Sequence, residues 1–203
     1  GTLTMDKIVL QLHRNVFGEH DLEVLRWAYL NSYYQTGLKN LLDRAVLEHG
    51  DVHQLLEVEK RFKKVDEISF DFQRRRMSVV LQQENGKHLL ICKGAVEEML
   101  SVCTHAYDPG PDKQLHIEND QPMLLTDAVK NKILDLRNEY NTEGMRVLLI
   151  SIKEFDQDEP TYGVNDEKDL IVTGFIGFLD PPKTTANASI IEMKQLGVDI
   201  KVL

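Results

Sequence analysis

The sequence predicts an α+β fold, in which helices pack against a mainly antiparallel β-sheet. Three observations support it: a block of helical patterns near the start, a following block of strand patterns with a tight turn between two of them, and a later long helix followed by further strands. Elements that are grouped in this way, instead of alternating strictly, are typical of α+β domains.

The first block contains three predicted helices, over residues 20–34, 38–50 and 51–60. Each is rich in helix formers and carries a broad apolar face. The first two run into Gly37 and Gly50, and glycine is the residue that most often follows the end of a helix.

The next block has the texture of strands, over residues 62–72, 75–83 and 87–93. The sequence Glu-Asn-Gly at residues 84–86 lies between the last two and predicts a hairpin turn. These strands are therefore expected to be antiparallel neighbours.

The remaining part of the domain repeats the pattern of helix followed by strand. The long helix is predicted from Val129, Ile133, Leu136 and Tyr140, which fall at helical spacing. The predicted elements are a helix over 95–103, an irregular loop over 107–114, the long helix closed by Gly144, and strands over 145–155 and 169–180.

The last segment differs in kind. A predicted helix over 184–197 is followed by a short apolar strand over 198–203. Helix, glycine and apolar strand are typical of a βαβ unit in a parallel sheet, where ligands gather at the carboxyl ends of strands.

Composition limits the possible functions. The chain has 203 residues with a net charge of -9, which argues against a nucleic-acid surface. We find no apolar tract long enough to span a bilayer and no secretion leader, so we expect a cytosolic setting. Two basic runs, 60–64 and 74–76, are either solvated faces or a local attraction for a phosphate.

The two cysteines, Cys92 and Cys103, form no CxxC pair and lie in apolar surroundings. We predict that both are buried, reduced thiols instead of a disulfide or a metal site.

Five short motifs occur in the order and approximate spacing of the cytoplasmic loop of P-type ATPases. They are GTLT at 1–4, FDFQRRRMSVV at 70–80, KGA at 93–95, MRVL at 145–148 and DPPK at 180–183. The chain therefore resembles the nucleotide-binding domain of that family, and its sequence is most similar to that of the bacterial magnesium-transporting pumps.

The resemblance implies a division of the chain. Residues 1–8 would be an edge and hinge strand of the phosphorylation domain, residues 9–178 the nucleotide-binding domain, and residues 179–203 the hinge with a fragment of the haloacid-dehalogenase-like phosphorylation domain. In the family the start reads DKTGTLT and its Asp is phosphorylated, so we expect that residue just upstream of Gly1 and no catalytic residue in the chain itself. The isolated chain would bind ATP without turning it over.

The resemblance assigns Phe70 to stacking on adenine and leaves Phe72 to the core, although two aromatics at i and i+2 are by themselves more typical of a core strand. Arg75 would lie near the phosphates or ribose. Because the two positions are five apart, a continuous strand would point them to opposite faces, so a turn or bulge between Asp71 and Arg74 is required if both touch one ligand.

Four further positions match the family's nucleotide pocket. Lys93 and Gly94 would line it, Arg146 would contact a phosphate, and Leu148 would form an apolar wall. From the residues alone, the alternative for Lys93 is a solvated lysine, and the alternative for Arg146 is an arginine that pairs with a surface carboxylate.

One acidic position also carries over. Asp43 matches a family position, usually Glu, that accepts from the adenine amino group. An ordinary acidic residue on a helix is the alternative.

The hinge would consist of Thr2 and Thr4 at one crossing and Asp180, Pro181 and Pro182 at the other. Proline fixes backbone dihedrals and suits a rigid connector. Two adjacent crossings would let the domain swing as a body.

The implied partners are ATP and, in the parent pump, the phosphorylation domain, the actuator domain and the transmembrane helices. Mg²⁺ would be bound mainly by the phosphorylation domain. The setting would be the cytoplasmic side of a bacterial inner membrane, with magnesium as the cargo and calcium or another cation as the alternative. A non-enzymatic nucleotide-binding or regulatory module and a soluble phosphatase are the rivals from other classes.

Overall fold

One eight-stranded sheet organises the part of the chain that the structure describes, a computed structural model that covers residues 7–37, 39–55, 57–108, 121–155, 161–181 and 186–197. The strands are β1 Val9–Asn15, β2 Lys63–Asp71, β3 Arg76–Gln82, β4 His88–Gly94, β5 Cys103–Tyr107, β6 Pro122–Leu124, β7 Arg146–Phe155 and β8 Leu170–Leu179. The helices are α1 Leu22–Tyr34, α2 Leu41–Leu47, α3 Val96–Leu100, α4 Asp127–Thr142 and α5 Ala186–Gln195, with 3₁₀ turns over Gly50–Leu55, Val58–Arg61 and Val164–Asp166.

The strand order is β2-β3-β4-β7-β8-β5-β6. β1 pairs with residues 174–179 of β8, and β5 pairs with residues 170–172, so the two share one edge of that strand. The pairing of β5 with β8 is parallel and the other strand pairs are antiparallel. The α+β class with a mainly antiparallel sheet is confirmed.

Helices cover both faces of the sheet, which gives three layers. Successive residues of β3 show the alternation, since Val79 and Leu81 pack into the cluster with α1 and α2, whereas Val80 packs into the cluster with α3 and α4. The first cluster includes Leu25 and the second Ile133, both without exposed area.

The hairpin turn at 84–86, the long helix α4 and the strands β7 and β8 are confirmed. The predicted third helix is wrong, because Gly50–Leu55 and Val58–Arg61 are separate 3₁₀ turns. The predicted helix over 95–103 is too long, because α3 ends at Leu100 and Cys103 already begins β5.

The sequence pattern does not predict β1, because the buried positions of this strand are not all apolar. His13 and Asn15 are buried alongside Leu10 and Leu12, which obscures the alternation that marks a strand. The predicted strand over 198–203 and the predicted loop beyond Asp108 lie outside the described residues.

Both cysteines are buried free thiols, as predicted. Burial raises the pKa of Cys92 and raises the pKa of Cys103 to about 11, so neither is a reactive thiolate near neutral pH. Among the described residues, none of the helices has the length and apolar character needed to cross a membrane.

Candidate functional site

A pocket of about 330 Å³ opens between the start of α2, the turn from β2 to β3, and the end of β4. Its walls are mainly apolar, with two cationic side chains, which is the usual character of a small-molecule site. The lining residues are Gln35, Asn40, Leu42, Phe70, Phe72, Arg75, Met77, Lys93, Gly94, Ala95 and Leu148.

The turn that closes β2 is organised by one side chain. Asp71 Oδ1 accepts hydrogen bonds from the backbone N–H groups of Gln73 and Arg74, each at 2.8 Å, and its carbonyl accepts from Arg75 N at 2.7 Å. Arg75 adopts a left-handed backbone with φ of 47°. The reversal brings Arg75 into the same pocket as Phe70, so the turn that the spacing required is present.

Phe70 lies half exposed at the pocket mouth, at 51% of its free area, and Phe72 is 88% exposed. The prediction that Phe72 belongs to the core is wrong, because the strand ends at Asp71 and the alternation of faces ends with it. The two rings meet edge to face at 5.3 Å, and both line the pocket. Phe72 is therefore a pocket residue that the sequence analysis missed.

Of the three consecutive arginines, only the middle one lines the pocket. Arg74 Nη1 and Arg76 Nε both donate to the buried Glu167 carboxylate, at 2.5 and 2.8 Å, and Ser78 Oγ donates to its other oxygen at 2.8 Å. Arg75 is 65% exposed and contacts Glu98 at 3.2 Å. Because Glu167 binds Arg74 and Arg76, Arg75 is the one of these three arginines that is available to a ligand.

Lys93 lies at the floor of the pocket and is only 6% exposed. Its ammonium donates to Asp43 Oδ1 at 2.5 Å and to Ser32 Oγ at 3.0 Å. Burial lowers the pKa of Lys93, and the Asp43 carboxylate opposes that lowering. The alternative of a solvated lysine does not hold.

Asp43 is fully buried and is not among the pocket-lining residues. Its carboxylate also accepts from Ser32 Oγ at 3.0 Å and, in the orientation that satisfies the amide, from Gln35 at 3.0 and 3.2 Å. In this arrangement Asp43 holds the Lys93 ammonium in position. The predicted contact of Asp43 with the adenine amino group stays a prediction.

Gly94 lines the pocket and is also required by the packing of its strand against β3. A Cβ at this position would lie 2.5 Å from Arg76 Cβ and 2.8 Å from the Arg75 carbonyl oxygen. The glycine therefore allows β3 and β4 to stay paired up to the turn that carries Arg75.

Arg146 lies outside this pocket, in an adjoining depression of about 430 Å³ that also contains Asp180. Leu148, two residues further along β7, lines the first pocket. Leu42 lines both, so the two spaces are neighbours on one surface. Asp180 and Pro181 directly follow β8, while the other predicted hinge residues, Thr2, Thr4 and Pro182, lie outside the described residues.

The buried pair of Lys93 and Asp43 makes a stability test possible. Lys93→Met alone should lower the free energy of unfolding by about 3–5 kcal/mol, because it leaves the Asp43 carboxylate buried without its counter-charge. Adding Asp43→Leu should restore most of the loss, since an apolar pair needs no counter-charge. Urea denaturation measures both, and equal destabilisation by the single and double variants would contradict the pairing.

The family model for the cytoplasmic domain N of P-type ATPases matches residues 6–185. The chain is 43% identical over 203 residues to magnesium-transporting ATPase, P-type 1 of Escherichia coli K12, covering all of this chain and 22% of that protein. It is 42% identical over the same length to the protein of that name in Salmonella typhimurium 14028s, covering 21% of it. It is 30% identical over 173 residues to calcium-transporting ATPase 1 of Bacillus cereus, covering 84% of this chain and 18% of that protein.

The chain thus spans about a fifth of the length of these relatives. The family match extends over most of the sequence and includes the pocket and the strands that carry it. The chain belongs to the P-type ATPase family, as its cytoplasmic domain N.

Proposed function

We propose that the chain is the ATP-binding domain of an ion-translocating P-type ATPase that transports magnesium. The observation that carries the proposal is the half-exposed Phe70 ring, which overlooks a pocket with Lys93 at its floor and Arg75 at its rim. A flat apolar ring beside fixed cations offers a stacking surface for a base and charge for phosphates.

The adenine would stack on Phe70, with Phe72, Leu148 and Met77 as apolar contacts around it. Lys93 would donate a hydrogen bond from the floor, since an ammonium has three N–H donors and two of them are held by Asp43 and Ser32.

The phosphates would extend past Leu42 toward Arg146, in the depression that also holds Asp180. Arg75 and Arg146 would supply the positive charge along this path. The nucleotide would thus point its reactive end toward Asp180 and Pro181, where the chain leaves β8.

The residues that line the first pocket include no acid among those the structure describes, so its donors suit a phosphate and do not suit Mg²⁺, which prefers carboxylate and water oxygens. Mg²⁺ would be held mainly by the phosphorylation domain. When bound there, it would neutralise negative charge on the phosphoryl group that is transferred. The domain described here supplies positioning.

In the parent pump, residues 9–178 would form the nucleotide domain, and residues 1–8 and 179–203 would join it to the phosphorylation domain, which would supply the acceptor Asp. Three exposed apolar side chains support this division, two on α5 and one on the residue that follows it. Ile191, Met193 and Leu196 are between 40% and 75% exposed, which suits a helix that packs against a further domain. The actuator domain and the membrane helices would complete a pump in a bacterial inner membrane.

The stacking role can be tested with Phe70→Ala. Its ring is half exposed, so the fold should be unaffected, while ATP affinity should fall by about 5- to 150-fold, the loss expected for one aromatic stacking contact. The measurement is ATP titration of the isolated chain, followed by amide NMR shifts. Tyr33→Ala, an aromatic change of similar exposure outside the pocket, is the matched control. Equal ATP affinity in both variants would contradict the stacking role, and the absence of saturable ATP binding by the parent chain would favour a module that kept the fold and lost the ligand.

The direction of the nucleotide can be tested with Arg146→Ala. Because this side chain is proposed to contact only phosphate, the variant should lose roughly tenfold in ATP affinity and keep its affinity for adenosine. Phe70→Ala should lower the affinity for ATP and the affinity for adenosine by a similar factor. Lys60→Ala, an exposed cation paired with Glu57, controls for a general loss of charge. An equal loss of ATP and adenosine affinity in Arg146→Ala would contradict the proposed direction.

The cargo can be tested only in the full-length protein. Reconstituted into vesicles, it should take up Mg²⁺ in an ATP-dependent manner that a fluorescent magnesium indicator records, in keeping with the names of the 42–43% identical relatives. If the vesicles instead took up Ca²⁺ and no Mg²⁺ in an ATP-dependent manner, the protein would group with the calcium-transporting relatives, which are 30% identical or less.

A further inference from the structure

Three histidines and an aspartate converge on the far end of α2 from the pocket. His13 comes from β1, His20 follows the turn after β1, His49 follows α2, and Asp51 lies in the 3₁₀ turn Gly50–Leu55. The proposed nucleotide site uses none of these four side chains.

One oxygen of the aspartate is the centre of the cluster. Asp51 Oδ2 lies 3.1 Å from His13 Nε2, 3.6 Å from His20 Nε2 and 4.0 Å from His49 Nδ1. One ligand atom each from His13, His49 and Asp51 all lie within 4.8 Å of one another. A tetrahedral ion with bonds of about 2.0–2.2 Å keeps its donors roughly 3.3–3.5 Å apart, so small side-chain shifts would complete the geometry.

The hydrogen bonding of His13 shows why a cation fits between these groups. Its Nδ1 lies 2.8 Å from the Asp21 carbonyl oxygen, which can only accept, so Nδ1 carries a proton. In the neutral ring, Nε2 then points a lone pair at the Asp51 carboxylate 3.1 Å away. Two lone pairs at that distance repel each other unless a proton or a metal ion lies between them.

The same hydrogen bond has the form found behind metal-binding histidines, which usually donate their other ring N–H to a backbone carbonyl or a carboxylate. His13 is 1% exposed and its ring is therefore held in place. His49 and Asp51 are 19% and 34% exposed, and His20 is 58% exposed, so the cluster has a buried floor and a mouth open to solvent.

We propose that His13, His49 and Asp51 bind one divalent transition-metal ion, with Zn²⁺ the best match, and that His20 or water completes the coordination. Two imidazoles and a carboxylate are donors typical of zinc sites. Mg²⁺ and Ca²⁺ prefer oxygen ligands in larger number, so the site is distinct from any site for transported magnesium.

Binding would exchange one internal contact. His49 Nδ1 accepts a hydrogen bond from Asp51 N at 3.2 Å, and a metal ion on that nitrogen would replace it. The ion would then tie β1 to the end of α2, whose other end carries Asn40 and Leu42 of the pocket.

The test is calorimetric titration of the untagged chain, stripped of metal with a chelator, with ZnCl₂ and separately with MgCl₂. The expected result is saturable binding of one Zn²⁺ per chain and no such binding of Mg²⁺. Asp51→Asn and His49→Gln should each weaken Zn²⁺ binding by at least the roughly 10- to 100-fold that loss of an outer-shell partner costs. His53→Ala, an exposed histidine in the same 3₁₀ turn, should leave it unchanged.

A second measurement needs no variant. Long-range ¹H–¹⁵N NMR of the parent chain should show the ring nitrogens of His13 and His49 shifting with Zn²⁺ while those of His53 stay in place. The proposal is overturned by the absence of saturable Zn²⁺ binding, by equal affinities in Asp51→Asn and His53→Ala, or by shifts confined to other histidines. In each case the cluster would hold a shared proton instead of a metal ion. Because the readout is metal binding, these results are independent of the test with ATP.

Discussion

The buried ion pair between Lys93 and Asp43 is the constraint on which the shape of the pocket depends. It joins the end of β4 to the first turn of α2, two elements that are 50 residues apart in the sequence. A buried ammonium without its counter-charge is strongly destabilising, so neither group can be placed without the other. The helix start that supplies Asn40 and Leu42 is thereby fixed against the strand end that supplies Lys93 and Gly94.

Buried acids also decide which cations a ligand meets. Glu167 binds both Arg74 and Arg76, neither of which lines the pocket, and Asp43 neutralises Lys93. Arg75 is itself 65% exposed in its pair with Glu98, and surface pairs of that kind are weak. The positive charge available to a phosphate is thus concentrated on Arg75 and Arg146, while Lys93 acts mainly as a fixed hydrogen-bond donor.

The sequence predicted features whose causes are local. The hairpin at 84–86, the helix α4 and the turn after Asp71 follow from turn residues, helical spacing and the odd separation of Phe70 and Arg75. It missed features set by distant partners. No local pattern marks Glu167 as the partner of Arg76, because the two residues are 91 positions apart in the sequence. The burial of Asp43 depends on β4, and the exposure of Phe72 depends on where β2 stops pairing with β3.

The placement of Leu42 between two depressions gives the proposed nucleotide a direction. Its apolar end would meet Phe70, Phe72 and Leu148, and its charged end would reach Arg146 next to Asp180. A domain that binds ATP mainly through the base leaves the terminal phosphoryl group free of tight contacts. That is the arrangement expected of a domain whose part in phosphoryl transfer is positioning, because a group that is to be transferred must remain accessible to an acceptor supplied by another domain.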